Sequence, residues 1–220
     1  MTDLDPRTVL GAYSIGVFPM ADAAPRFDPI DLFRILRKTI AADRFRVTAD
    51  TAFDRVIALC GQSVEGRADT WINRQIEQVF CRLHAMRFAH SIECWDGDRL
   101  VGGLYGLALG RAFFGESMVN RATDASKVAL AWLVARLRVG GFTLLDCQFQ
   151  TDHLRSLGAV EIDRADYMAL LGAALSGSDA AGDGAARFDA LDRGGFGAAS
   201  SSVSAPVSGQ LIAQLLVQTS

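Results

Sequence analysis

Apolar residues recur at helical spacing through much of the chain and change to a period of two between Ser91 and Glu116. Residues 6–20 predict a short helix that ends near Gly16 and turns at Phe18-Pro19. From Asp31 to Ala42, Leu32, Ile35, Leu36 and Ile40 form one inward stripe. Asp50 to Cys60 repeats the pattern with Phe53, Val56, Ile57 and Cys60, and Asn73 to Ala85 is a further amphipathic helix. Ser91–Trp95, the turn Asp96-Gly97, Arg99–Leu109, a break at Gly110 and Arg111–Glu116 then read as a meander of antiparallel strands. Thr123 or Asp124 caps a helix through Val128, Ala131, Leu133, Val134 and Leu137, which Gly140-Gly141 stops. Phe142 to Phe149 reads as a buried strand.

Strand, helix and strand from Arg111 to Phe149 make a crossover unit, which places at least one parallel pair in a mixed sheet. Helices packed on such a sheet give an α/β or α+β architecture. Residues 176–209 are rich in Gly, Ala, Ser and Asp and predict a flexible linker; the apolar segment from Gln210 can dock as a short helix or strand.

With 220 residues, 50% hydrophobic and 21% charged, the chain can bury a core, as one domain with an appendage or as a large and a small domain. A net charge of -3 argues against a charge-driven nucleic-acid binder and leaves room for a local basic patch. Arg34, Arg37, Lys38, Arg44 and Arg46, opposed only by Asp43, are that patch; a solvated helix face is the plainest reading of it. The acidic start reads as unprocessed and cytosolic, and no run of about 18 apolar residues could span a membrane. Cys60, Cys81, Cys94 and Cys147 are scattered and read as small core hydrophobes.

Chemistry concentrates in Leu144-Leu-Asp-Cys-Gln-Phe149. Strand alternation puts Asp146 and Gln148 on one face, at the carboxyl end of a strand, where open sheets commonly bind ligands. A buried carboxylate is costly unless hydrogen-bonded, so Asp146 is either a satisfied structural group or part of a site. Glu116 ends the first strand of the crossover unit and can reach the same sheet end, where two acids and an amide could bind a cation, orient an amine or move a proton. An exposed strand end is the alternative for Glu116. Gly102-Gly-Leu-Tyr-Gly106 lies inside the meander, not between strand and helix, so Gly106 and Gly110 read as bulge or bend positions and not as a phosphate loop. His84, His90 and His153 lack ligand spacing, and Cys147 has no cue for activation as a nucleophile.

Taken in order, Ala12-Tyr-Ser-Ile-Gly-Val-Phe-Pro19, Thr70-Trp-Ile72, His90-Ser-Ile-Glu-Cys-Trp95, Leu100-Val-Gly-Gly-Leu-Tyr-Gly106, Phe114-Gly-Glu-Ser-Met118, Asp124-Ala-Ser-Lys127, Leu144-Leu-Asp-Cys-Gln148 and the stretch from His153 to Ile162 resemble the leucyl/phenylalanyl-tRNA–protein transferases. The resemblance runs from about Leu10 to Leu171. It implies an α+β fold: an acetyltransferase-like (GNAT) mixed sheet flanked by helices, with a shortened N-terminal domain over residues 1–60, a catalytic domain over 61–175 and a linker and tail over 176–220. It implies transfer of leucine or phenylalanine from aminoacyl-tRNA to the α-amino group of proteins that begin with Arg or Lys, which marks them for degradation. No metal or nucleotide cofactor is implied, because the aminoacyl ester is already activated.

On the family pattern Asp146 and Gln148 take the catalytic positions, Gln148 orienting the amine and Asp146 polarising it or assisting proton transfer, while Glu116 offers negative charge to the acceptor's Arg or Lys. Leu104, Met118, Leu133 and Leu137 fall at positions of the donor's apolar pocket, with core packing as the plainer alternative. Trp71 is implied to stack on the terminal adenine, and Arg34, Arg37, Lys38, Arg44 and Arg46 to hold the acceptor-stem backbone. The implied protein is a cytoplasmic monomer. Between Met20 and Asp31 the family carries a longer insert with a Trp-Trp-Ser-Pro-like block, replaced here by Ala21-Asp-Ala-Ala-Pro-Arg-Phe-Asp-Pro29. A tRNA- or peptide-binding module without turnover is therefore the alternative reading.

Overall fold

In a computed structural model, residues 4–17, 24–27, 36, 38–62, 71–147, 154–155, 159–176, 186–193 and 207–217 are described, with the backbone alone for 24–27. The elements are α1 (Pro6–Ser14), β1 (Ala24–Phe27), β2 (Arg46–Ala49), α2 (Phe53–Cys60), α3 (Arg74–Ala85), β3 (Ala89–Asp96), β4 (Arg99–Leu109), β5 (Ala112–Asn120), α4 (Ala125–Val139), β6 (Leu144–Asp146), β7 (Ala159–Ile162), α5 (Arg164–Ser176), α6 (Ala190–Arg193) and α7 (Gly209–Val217). The strands form one mixed sheet in the order β2-β3-β4-β5-β6-β1-β7. Among the described residues only β5 and β6 pair in parallel, joined through α4, so the crossover unit expected from the sequence is present.

The meander over β3, β4 and β5 follows the alternating pattern, and Gly106 and Gly110 serve as expected. The β4–β5 register shifts at Tyr105/Gly106, and Gly110 turns the chain at φ +58°. Gly102 has a different duty. A Cβ there would stand 2.5 Å from that of Ala125, so its absence lets β4 approach the start of α4.

Helix α4 is buried on nearly every side, from Ala125 through Leu137. One side rests on Val101, Leu104 and Phe113 of the sheet; the other is covered by α6 and α7 through Phe188, Leu191, Ile212 and Leu216. A helix apolar all round must be covered twice. That requirement corrects the flexible-linker reading for 186–193. Arg136 of α4, 4% exposed, donates to both oxygens of Asp192 at 2.6 and 2.8 Å and to the Phe188 carbonyl at 3.0 Å. The opposite face of the sheet carries α1, α2, α3 and α5, with Tyr13, Val56, Ile57, Leu83, Tyr167 and Leu171 in one core.

Two further details differ from the sequence reading. Asp124 sits at the α4 N-cap with φ +67° and makes no side-chain cap; it pairs with Lys127 at 2.7 Å, while Asn120 Oδ1 accepts the Ser126 amide. The N-terminal sixty residues also supply strands to the sheet. β1 lies between β6 and β7, and β2 forms an edge beside β3. The helix expected over Asp31–Ala42 is seen at 36 and 38–41, with Leu36 and Ile40 in the core; its other residues, and the end of the Phe142–Phe149 strand, lie outside the described residues.

Candidate active site

The parallel pair is short among the described residues. Its register runs Ala112↔Leu144, Phe113↔Leu145 and Phe114↔Asp146, whereas β5 continues to Asn120. Register partners of a parallel pair share a face, so Asp146 and Phe114 point the same way. On its other side β5 passes from Gly106↔Gly115 to Tyr105↔Ser117, which leaves Glu116 as the extra residue of a bulge. Bulges re-aim a side chain, and this one turns Glu116 toward α1.

Each acid meets a tyrosine. Tyr13 of α1 donates to Glu116 Oε1 at 2.6 Å, and Tyr167 of α5 donates to Asp146 Oδ2 at 2.8 Å. Phe114 links the two pairs, its ring edge-on to that of Tyr13 at 5.0 Å. Asp146 is 0% exposed and Glu116 9%. Burial, and then the neighbouring carboxylates, push both phenols well above their ordinary range, so each remains a protonated donor. Tyr105 is buried in the same region and is raised by burial and by Glu116; its hydroxyl has no hydrogen-bond partner among the described residues.

Burying a carboxylate costs several kcal/mol, on the order of the penalty for any desolvated ion, unless hydrogen bonds replace water. Glu93 shows a purely structural answer to that cost: it accepts from Thr48, Thr51 and Ser91 hydroxyls at 2.5, 3.0 and 2.5 Å and knits β2 to β3. Glu116 and Asp146 differ in position: they stand on the adjoining strands β5 and β6.

The apolar candidates occupy the other face. Leu104 and Met118 are register partners on β4 and β5, packed with Leu133 and Leu137 of α4. Leu104, Leu133 and Leu137 are 3%, 1% and 5% exposed, while Met118 is half-buried. Leu137 also lines a cavity of about 110 Å³ with Val134, Phe142, Leu144 and Leu145. The sheet thus divides the acids from the apolar set, and the β5–β6 pairing among the described residues ends at Phe114↔Asp146.

Trp71 is 47% exposed just before α3, which Asn73 caps by accepting from the Gln75 and Ile76 amides. Lys38, Arg44 and Arg46 are exposed. Arg46 and Arg55 stack on Trp95, at 5.1 and 4.9 Å from its centroid. Gln148, Arg34 and Arg37 lie outside the described residues. Burial and Asp146 push the Cys147 thiol up to about 12, which removes the thiolate a nucleophile needs at neutral pH.

The family model for "Leucyl/phenylalanyl-tRNA protein transferase" matches residues 26–172, and that for its N-terminal domain matches residues 2–32. The chain belongs to this family. The leucyl/phenylalanyl-tRNA–protein transferase of Rhizorhabdus wittichii is 54% identical over 248 aligned positions that cover all of both chains. That of Zymomonas mobilis is 54% identical over 79% of this chain and 70% of its own, and that of Afipia carboxidovorans 50% over 79% and 83%. The N-terminal match contains Tyr13, and the longer one contains Glu116, Asp146 and Tyr167.

The two phenols are what sequence reasoning missed. Tyr13 lies among the quoted motifs without a role. The signal was a tyrosine on the inward side of a short helix, since a buried phenol needs an acceptor. Tyr167 carried the same signal, four residues before Leu171 on the inward side of α5.

Proposed function

We propose that the chain transfers leucine or phenylalanine from aminoacyl-tRNA to the α-amino group of proteins that begin with Arg or Lys, marking them for degradation. It does so as a cytoplasmic monomer on a GNAT-like catalytic unit over residues 61–175, with residues 1–60 as a shortened N-terminal unit. The observation that carries this reading is the pair of buried, tyrosine-held carboxylates on the adjoining strands β5 and β6, with apolar side chains across the sheet.

The acceptor's neutral amine attacks the ester carbonyl. A C–N bond forms, the bond to the ribose oxygen breaks, and the proton lost by the amine ends on that leaving oxygen. Gln148 orients the amine, and Asp146 polarises Gln148 or assists the proton transfer. Glu116 attracts the cationic side chain of the acceptor. The donor's side chain enters from the α4 face toward Leu104, Met118, Leu133 and Leu137. Both substrates meet in the gap between the strands, which reconciles acids and pocket on opposite faces. Trp71 stacks on the terminal adenine; Arg34, Arg37, Lys38, Arg44 and Arg46 follow the acceptor-stem phosphates. The ester is already activated, so the chemistry requires no metal or nucleotide cofactor.

The test is incubation with labelled leucyl-tRNA and an Arg-initiated peptide. Labelled leucine in the peptide is the expected product. Binding of charged tRNA without product would favour the module without turnover.

A further inference from the structure

The phenol of Tyr167 faces a carboxylate that this reading makes catalytic, and it does so from outside the sheet. Tyr167, Leu171 and Ala174 form the buried stripe of α5, and the helix starts just before them, with the Tyr167 amide bonded to the Asp163 carbonyl at 2.9 Å. The backbone therefore fixes where the ring stands. Tyr167 is 1% exposed, and its hydroxyl is 2.8 Å from Asp146 Oδ2. An O–H donated to a carboxylate favours the anion and restricts its rotation about χ2.

We infer that Tyr167 is a positioning residue for aminoacyl transfer: by donating to Oδ2 it holds the buried Asp146 carboxylate in one orientation at the end of β6. The inference rests on the function proposed above. Among the described residues, the titratable groups around Asp146 include Tyr167 from α5, Tyr13 from α1 and Cys147 beside it; Glu116 of β5 shares Tyr13, Arg26 of β1 is the backbone register partner, and Arg164 and Asp166 on α5 are exposed. Tyr13 donates to Glu116, and Cys147 remains a thiol, so Tyr167 is the phenol that addresses Asp146 directly.

Two substitutions test this without emptying the site. Tyr167→Phe keeps the ring and removes the donor. Incorporating 3,5-difluorotyrosine at position 167 keeps the donor and makes it more acidic, which strengthens the bond. The Asp146 carboxyl is followed by carbon NMR of Asp-labelled protein, assigned by its loss in Asp146→Asn. Its midpoint should rise by about one pH unit in Tyr167→Phe and fall in the fluorinated protein, since hydrogen bonds to the charged form lower a carboxyl pKa. At pH 8 and saturating substrates, kcat of Tyr167→Phe should fall about tenfold, with KM for tRNA and peptide within about twofold. A purely structural tyrosine would lower the melting temperature and leave the midpoint unmoved in both proteins, and that result overturns the inference. Wild-type protein that makes no aminoacyl peptide would instead refute the proposed function, while the NMR midpoints still report on the Tyr167–Asp146 bond.

Discussion

Tyr13 and Glu116 are 103 residues apart in sequence and 2.6 Å apart at their oxygens. The bond ties the first helix to the bulge of β5. Tyr13→Phe leaves Glu116 short of a donor and should cost about 1.5–3 kcal/mol in urea unfolding, the usual value for a hydrogen bond to a charged group. Glu116→Gln should raise KM for an Arg-initiated peptide at least about tenfold with tRNA affinity unchanged, because only the acceptor's cation loses its counter-charge. Equal KM values in initial-rate assays would remove Glu116 from acceptor binding.

The exposed cations predict a salt signature. Replacing Lys38, Arg44 and Arg46 together by Ala should weaken tRNA binding and flatten the slope of log K against log salt by about 2–3, one phosphate contact being worth about 0.7–0.9. An unchanged slope in filter-binding titrations would make these residues a solvated face. Arg46 also stacks on Trp95, so a thermal melt should accompany the titration.

What was legible in the sequence was what repeats locally. Alternation from Ser91 to Glu116 and the period of α2 and α3 announced their elements, whose strands run on to Ala89 and Asn120, and the crossover announced the parallel pair that sets Asp146 beside β5. The short strands β1, β2 and β7 carried too few residues for a period, and distant partners define them. Segment 186–193 looked like linker because the Gly-, Ala-, Ser- and Asp-rich stretch 176–209 encloses it. Its hold on the core comes from Phe188, Leu191 and a buried Arg136, a partner that no local pattern reveals. In the site the acids were legible from their places on strands; the phenols that hold them come from α1 and α5, and only the tertiary fold brings those helices to the sheet.

The docking of that segment has a measurable cost. Phe188 is 6% exposed, stacked on His90 at 4.0 Å and on Phe113 at 5.7 Å. Phe188→Ala should destabilise the protein by about 3 kcal/mol, a typical cost of emptying a buried aromatic site. A denaturation midpoint equal to wild type would show that the segment contributes nothing to the core.

Alkaline pH should unfold the protein early. Burial raises Tyr13, Tyr105 and Tyr167 above their ordinary 10.0, and it raises Cys94 and Cys147 from 9.0 to about 12. These groups are neutral when protonated, so above about pH 9 the unfolded chain releases protons that the folded one retains, and stability falls as pH rises toward the folded values. Melting temperatures should decline steadily from pH 9 to 11. A flat profile over that range would contradict the burial of these groups.

The most direct test is single-turnover transfer from labelled leucyl-tRNA to an Arg-initiated peptide by wild type and by Asp146→Asn, at enzyme concentrations that saturate tRNA. Asn keeps the shape and loses the charge. The rate should fall by about 10²–10⁴, the range for a lost proton-handling group, with tRNA affinity preserved. Transfer by Asp146→Asn at the wild-type rate would show that the reaction does not use this carboxylate.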